Sequence, residues 1–172
     1  HEPLLAFITG AVLAWAFHST LAVILLIASF VANGSLELGG ALAFILGLNL
    51  GGGLPAISST LALPPAGRRL PVANLACRSI AALIGLAFIQ RITGWAALLP
   101  FDAVTVALAF HAALNLVIGL FFLPLTKLVE NQVIKLVPDV KLDADQLAAP
   151  RYLDGKSLGS PSIALSNALM ET

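Results

Sequence analysis

Charged side chains are scarce in this 172-residue chain. They make up 10% of the residues, whereas hydrophobic residues make up 59%. A soluble domain carries about 25% charged residues, so the composition predicts a protein embedded in a membrane. The net charge is zero, and a nucleic-acid partner is therefore not expected.

The shortage of charge is confined to one part of the chain. From Lys127 onward charged residues become frequent. We therefore predict a membrane region over residues 1–126, an amphipathic connector and linker over 127–160, and the start of a cytoplasmic helical domain over 161–172. The charged residues between Pro3 and Thr126 are Glu37, Arg68, Arg69, Arg78, Arg91 and Asp102.

Other chemical signals are missing as well. The single cysteine, Cys77, excludes an internal disulfide. No nucleophile–base pair, phosphate-binding loop or paired carboxylate is recognisable, so an enzyme is not expected. The chain begins with His1 and has no segment like a signal peptide, and we expect it to be an internal fragment of a longer protein.

The first long apolar run, Leu4 to Val31, is interrupted near its middle by Phe17-His18-Ser19-Thr20. The halves, of roughly 13 residues, are too short to cross a bilayer of about 30 Å. Two structures fit: one continuous helix whose polar residues face a neighbour, or a re-entrant hairpin with the break at its tip. Ser and Thr favour the first position of a new helix as N-caps, which favours the hairpin.

The second apolar run, Leu38 to Leu63, contains a glycine-rich stretch at residues 47–53. Each glycine costs roughly 1 kcal/mol relative to alanine inside a helix, so we predict an unwound segment. The alternative is close helix packing of the small-xxx-small kind, for which Gly47 and Gly51 have the spacing. Two breaks close together in apolar runs are typical of a solute site in a transporter.

Two further membrane helices complete the predicted fold. One runs from Leu70 to Phe88 after a loop at 63–69, and the other begins with Asp102 as N-cap and reaches about Leu123, with a connection at 91–100 between them. The predicted fold class is an all-α integral membrane protein with a re-entrant hairpin, one broken helix and two further helices. The positive-inside rule places Arg68-Arg69 and Lys127 on the cytoplasmic side.

Several motifs resemble those of the bacterial Na⁺/phosphate cotransporters, which are related to the type II sodium–phosphate cotransporters. His18-Ser19-Thr20-Leu21-Ala22-Val23 is similar to the QSSSAV hairpin tip of that family, and residues 47–53 are similar to GANLGTT. The Arg68-Arg69 to Arg78 helix, the pair His111 and Asn115, Leu123-Pro124 and Ser160-Pro161 also match in order and spacing. The resemblance implies the second of two inverted repeats, followed by the beginning of a PhoU-like domain.

The function implied by this resemblance is Na⁺-coupled uptake of inorganic phosphate across the bacterial inner membrane by alternating access, with the C-terminal tail in the cytoplasm. No cofactor is implied beyond Na⁺ as the coupling ion. The implied partners are phosphate, Na⁺, the lipid bilayer and a first repeat outside this chain, and a homodimer is left open. The alternatives are a membrane regulator of phosphate status that does not transport, or a cotransporter of another oxyanion.

The expected solute-binding residues lie at the two breaks. Asn49 is also a candidate Na⁺ ligand, because amide and carbonyl oxygens suit that ion. Ordinary back-bonding to a carbonyl is the alternative role for the hydroxyl groups. The full set is His18, Ser19, Thr20, Asn49, Gly51, Gly52, Gly53, Ser58 and Ser59.

The motifs depart from the family pattern at several positions. His18 stands where the family has Gln, and Leu21 stands where it has a third Ser. Gly52 and Gly53 stand where the family has two Thr residues. We expect His18 either to donate to the anion or couple transport to protons, or simply to replace the hydrogen bond that Gln would make.

Three further polar residues lie outside the two breaks. For Arg78, snorkelling or pairing with a carbonyl is favoured over attracting anions to the inner mouth. His111 and Asn115 are expected to make helix-packing hydrogen bonds, since they are too few for a zinc site.

Overall fold

The computed structural model describes residues 3–139 and 160–171, and these residues form helices without a strand among them. The protein is an all-α membrane protein, as predicted. Its helices are α1 (Pro3–Phe17), α2 (Thr20–Ala32), α3 (Leu38–Gly51), α4 (Leu54–Thr60), α5 (Pro65–Ala87), α6 (Ile89–Ala96), α7 (Ala103–Phe122), α8 (Thr126–Leu136) and α9 (Pro161–Glu171).

The first apolar run is a helical hairpin. A methyl group added to Gly47 would collide with the carbonyl of Phe7, and one added to Gly51 with the carbonyl of Ala11. A later residue of α3 therefore meets a later residue of α1, which means that the two helices run parallel. Gly52, at the end of α3, meets Thr20 at the start of α2, so α2 runs antiparallel to both. The hairpin alternative is therefore confirmed, with its tip at residues 18–19.

The arms of this hairpin are short. α1 has 15 residues and α2 has 13, which correspond to about 22 and 20 Å of helix at 1.5 Å per residue. Three other helical stretches are long and apolar enough to cross a membrane: Leu38–Thr60, Pro65–Ala87 and Ala103–Leu136. The tip contacts Gly52, which lies inside the first of these spans, so the hairpin ends within the depth of a full-length span.

Helix α3 is the centre of the fold. Every residue from 41 to 49 is buried, because α1, α2, α5 and α7 pack around it. On one side α3 meets the hairpin arm α2 through Ile24, Ile27 and Val31. On the other side it meets α5 and α6 through Ala82 and Ile89.

The predicted unwinding of residues 47–53 is wrong. Residues 38–51 are continuous helix, and the break is a single turn at Gly52 and Gly53, whose φ and ψ angles remain right-handed and helical. The amide of Gly52 donates to the carbonyl of Leu48 (2.9 Å), and that of Gly53 to Leu50 (3.1 Å). Gly47 and Gly51 instead allow the backbones of α1 and α3 to touch, which was the packing alternative.

The helices after residue 60 differ from the prediction at two places. α5 begins at Pro65, inside the stretch expected to be a loop, because proline suits the first turn of a helix. Residues 91–96 of the expected connection belong to the short helix α6, which begins at Ile89. Ile89 of this helix is buried against α3, and that tertiary contact stabilises it.

α7 begins as predicted. The carboxylate of Asp102 accepts hydrogen bonds from the Thr105 hydroxyl (2.6 Å) and backbone N–H (2.9 Å). Both hydrogen bonds lower the pKa of the Asp102 carboxyl group, and the bond from the Thr105 hydroxyl has the larger effect. The carboxyl group is therefore ionised at neutral pH.

Helix α7 leads almost directly into α8. A 3₁₀ turn at Leu123–Leu125 joins α7 to α8, and Arg69 Nε of α5 donates to the carbonyl of Val137 (3.1 Å). The described residues up to Pro138 form one compact unit, and α9 belongs to a second. Residues 140–159 of the predicted connector lie outside the described residues, and α9 falls where the cytoplasmic helical domain is predicted to begin.

Candidate functional site

The two predicted breaks come together in the structure. A methyl group added to Gly52 would lie 2.5 Å from Cγ2 of Thr20, and one added to Gly53 would lie 3.0 Å from Cδ1 of Leu75 on α5. The hairpin tip, the turn between α3 and α4, and the middle of α5 are therefore neighbours. Convergence of this kind is what a solute site between helices requires.

At the hairpin tip, the side chain of Ser19 is used by the fold. Its oxygen accepts the backbone N–H of Ala22 (3.2 Å), and Ser19 has the extended backbone conformation of an N-cap. The capping role predicted for this position is confirmed. Thr20, the first residue of α2, is partly buried against Gly52.

His18 has an unusual backbone. Its φ angle is +52°, which places it in the left-handed region, and its ring Nδ1 lies 3.3 Å from the carbonyl oxygen of Ala16. A non-glycine residue there is strained. The side chain is exposed in this chain, and its predicted role in anion or proton binding stays a prediction.

Ser58 and Ser59 are exposed and bonded to their own helix. The Ser58 hydroxyl donates to the carbonyl of Pro55 (2.9 Å) and that of Ser59 to Ala56 (3.1 Å). This is the back-bonding expected as the alternative to solute binding. No hydrogen bond described in the structure joins either serine to the hairpin tip.

Asn49 and Arg78 form the most distinctive polar contact of the membrane region. Asn49 is fully buried, and its Nδ2 donates to the carbonyl of Ile45 (3.0 Å). Its Oδ1 accepts Nη1 of Arg78 (3.2 Å), while Nε of Arg78 donates to Oδ1 of Asn74 (3.2 Å). Two asparagines from two helices thus hold one guanidinium group.

This contact bears on the predicted Na⁺ ligand. Asn49 Oδ1 accepts from a guanidinium cation in this conformation, so the atom is engaged and its surroundings are positive. Such surroundings favour an anion over Na⁺. The Na⁺ site at Asn49 stays a prediction that would require Arg78 to move away.

The Arg78 contact also corrects the expectation for this residue. Its described hydrogen bonds go to the side-chain amide oxygens of Asn74 and Asn49, and not to a backbone carbonyl. The spacing of Asn74 and Arg78, one helical turn apart, is visible in the sequence. The third member, Asn49, is 29 residues away, and only packing of α3 on α5 brings it there.

The depth of the cluster follows from the lengths of the helices. Asn49 is at the centre of the span Leu38–Thr60, and Arg78 is close to the centre of Pro65–Ala87. The acidic residues between positions 3 and 126 are Glu37 and Asp102, which are N-caps at the starts of α3 and α7. Neither of these two carboxylates lies at the mid-span depth of Arg78, and the described hydrogen bonds of Arg78 go to uncharged amides.

A third membrane helix brings His111 to the same region. His111 lies near the centre of α7, which packs against both α5 and α3. Its Nδ1 is buried and makes no hydrogen bond to any described residue. Asn115 Nδ2 donates to the backbone carbonyl of His111 (2.8 Å), so the predicted packing bond of Asn115 lies within its own helix.

A cavity of about 700 Å³ lies beside this cluster, between α5, α7 and α8. Asn74 lines it, as do Cys77 and Arg69. Since Asn74 also holds Arg78, the cavity reaches from the end of α5 that carries Arg69 to the edge of the polar cluster.

Known proteins resemble this chain over most of its length. Over 169 residues, 98% of this chain and 31% of the relative, it is 31% identical to "Putative inorganic phosphate export protein YjbB" of Escherichia coli (strain K12). It is also 31% identical over 162 residues to YjbB of Salmonella typhimurium, covering 94% of this chain and 30% of the relative. In Bacillus subtilis, "Uncharacterized protein YqeW" is 28% identical over 133 residues, 77% of this chain and 43% of that protein.

The chain thus spans about a third of the length of the YjbB proteins it matches. No protein-family model matches it. No solved structure matches it either.

Proposed function

We propose that this chain is part of a membrane transporter of inorganic phosphate and that Arg78 binds the anion. The observation that carries the proposal is the position of Arg78, a mid-span guanidinium whose hydrogen-bond partners among the described residues are two uncharged amides. The name of the YjbB relatives supports phosphate as the solute.

The physical argument concerns the cost of a buried charge. A cation in the membrane interior is expensive unless it is paired, and an intramembrane ionisable residue commonly belongs to a solute pathway. Asn49 and Asn74 occupy Nη1 and Nε of the guanidinium but bring no negative charge. A phosphate oxyanion would supply the charge, and the planar guanidinium donates to two of its oxygens at once.

The cavity between α5, α7 and α8 supports an access route to this site. Arg69 and Glu130 both line it, and Asn74 connects it to Arg78. If the side that carries Arg68 and Arg69 is cytoplasmic, as the positive-inside rule predicts, the route begins in the cytoplasm.

The direction of transport is a separate question. The sequence resemblance implies Na⁺-coupled uptake, whereas the YjbB relatives are named for export. An anion site at Arg78 serves either direction, since a secondary transporter follows the gradients imposed on it. We propose that phosphate is transported through this site. Na⁺-coupled uptake is the more specific hypothesis, which flux measurements under a Na⁺ gradient test.

The experiment is phosphate flux in vesicles that contain the full-length protein. Wild-type protein should move radiolabelled phosphate, Arg78→Gln should lower the rate at least tenfold, and Arg78→Lys should retain part of it because the charge remains. Arg91→Gln is the matched control, because Arg91 is exposed on α6 and its loss should leave the rate unchanged.

The same vesicles separate the competing functions. Reversing a Na⁺ gradient should reverse or accelerate flux if Na⁺ is coupled and leave it unchanged if it is not. Competition by sulfate would indicate a different oxyanion. Absence of phosphate flux under every gradient would contradict transport and support a regulator, and wild-type flux in Arg78→Gln would remove Arg78 from the site.

A further inference from the structure

We infer that His111 is a second anion-recognition residue and that its Nδ1–H donates to the phosphate held by Arg78. The inference rests on the proposed phosphate function and adds to it a residue on a third helix. The observation behind it is a buried Nδ1 atom that has no hydrogen-bond partner among the described residues. A buried polar atom left unsatisfied is costly, and an absent ligand is one common reason for finding one.

The location of His111 limits what the ring can reach. His111 is partly buried near the centre of α7, and α7 packs against α5, which carries Arg78 near its own centre. Helix α3, which carries Asn49, packs against both α5 and α7. The ring therefore belongs to the same mid-span region as the guanidinium.

The chemistry of the neighbours indicates the kind of ligand. Arg78 only donates hydrogen bonds, and Asn115 uses its amide on the backbone carbonyl of His111 rather than on the ring. Glu37 and Asp102, the acidic residues between positions 3 and 126, stand at the starts of α3 and α7 and not beside the mid-span His111. A group that accepts from a guanidinium and an imidazole together is an oxyanion.

The test uses the different reach of two amide side chains in the full-length protein. In His111→Asn the amide nitrogen stands at the position of Nδ1, whereas in His111→Gln it stands at that of Nε2. We expect His111→Ala and His111→Gln to raise the KM for phosphate about tenfold or more, as for a lost bond to a charged group. His111→Asn should remain within about threefold of the wild type, because it keeps the donor.

The control is Asn115→Ala, which disturbs α7 one turn away and leaves the ring in place. It should leave the KM for phosphate unchanged. Thermal unfolding of each variant with and without phosphate supplies a second readout, because bound phosphate raises the melting temperature only where the site is intact. If His111→Ala does not fold, comparison of the Asn and Gln variants still tests whether Nδ1 binds phosphate.

The outcomes separate this inference from the proposed function. Absence of phosphate flux in the wild type ends both. Flux that requires Arg78 but is unchanged in every His111 variant overturns the role of His111 alone. Equal rescue by Gln and Asn overturns the assignment to Nδ1. Loss of stability in His111→Gln without a change in KM would assign the ring to packing, for instance against a segment outside this chain.

Discussion

The hairpin tip and the glycine-rich stretch lie side by side, yet they interrupt helices in different ways. At the tip the chain reverses: His18 takes a left-handed φ of +52° and Ser19 caps a new helix. In the glycine-rich stretch the chain continues in the same direction, with right-handed angles at Gly52 and Gly53. The break at the tip reverses the chain, whereas the break at Gly52 and Gly53 leaves the helix direction unchanged.

The difference teaches what glycine does in a membrane helix. Gly47 and Gly51 remain helical because the missing side chains allow the carbonyls of Phe7 and Ala11 to approach. The gain in dispersion contacts and backbone proximity offsets the low helix propensity of glycine. Glycine therefore opens space for a neighbour here, whereas at the tip a polar cap redirects the chain.

The largest expected effect comes from filling the close approach of α1 and α3. Gly51→Ala would place a methyl group on the backbone of Ala11, and moving two helices apart should cost about 3 kcal/mol or more, at the upper end for overpacking. Unfolding of the full-length protein in detergent would measure it. Gly94→Ala is the control, because nothing lies within 4 Å of that position; equal stability of both variants would contradict the packing role.

An intermediate effect should come from the contact between the two regions. Gly52→Ala would place a methyl group 2.5 Å from Cγ2 of Thr20, and because a β-branched side chain turns with difficulty, a cost of about 1–2 kcal/mol is expected. Adding Thr20→Ser, which removes that methyl and keeps the hydroxyl, should restore most of the stability.

The control for this pair is Thr20→Val, which keeps two methyl-sized branches and should not restore stability. The double-mutant cycle measures the coupling directly. A coupling energy near zero would mean that the tip and the Gly52 turn do not touch.

The smallest effect should come from the cap at the tip. Ser19→Ala removes the acceptor for the Ala22 amide and should lower stability by about 1 kcal/mol. Ser19→Asn retains a capping oxygen and should stay near the wild type in the same unfolding assay. If the alanine and asparagine variants behave alike, the tip is stabilised by contacts other than the cap.

The break at residues 18–19 could be predicted because its causes are local. Polar side chains in the middle of an apolar run, with serine at the cap position, determine the break without distant contacts. The N-cap at Asp102 was predictable for the same reason. The short helix α6 was not, because eight residues gain stability mainly by burying Ile89 on α3.

The candidate site was predictable only in part. The two breaks were expected to belong to one solute site, and the structure brings Thr20 beside Gly52. The Asn49–Arg78 contact was missed because the helical period relates residues on one helix and says nothing of the facing helix. The sequence did offer one signal for this contact: a charged residue, Arg78, lies in an apolar helix one turn from Asn74.

By itself the sequence determined the membrane environment, the helical class, the position of the hairpin tip and the caps of two helices. These properties depend on composition and on neighbours within about one helical turn. Only the tertiary structure decided that glycines 47 and 51 pack rather than unwind, and that Arg78 faces Asn49. The reason is that a side chain's role in a low-dielectric interior depends on the groups opposite it, and helix packing brings those groups from distant parts of the chain.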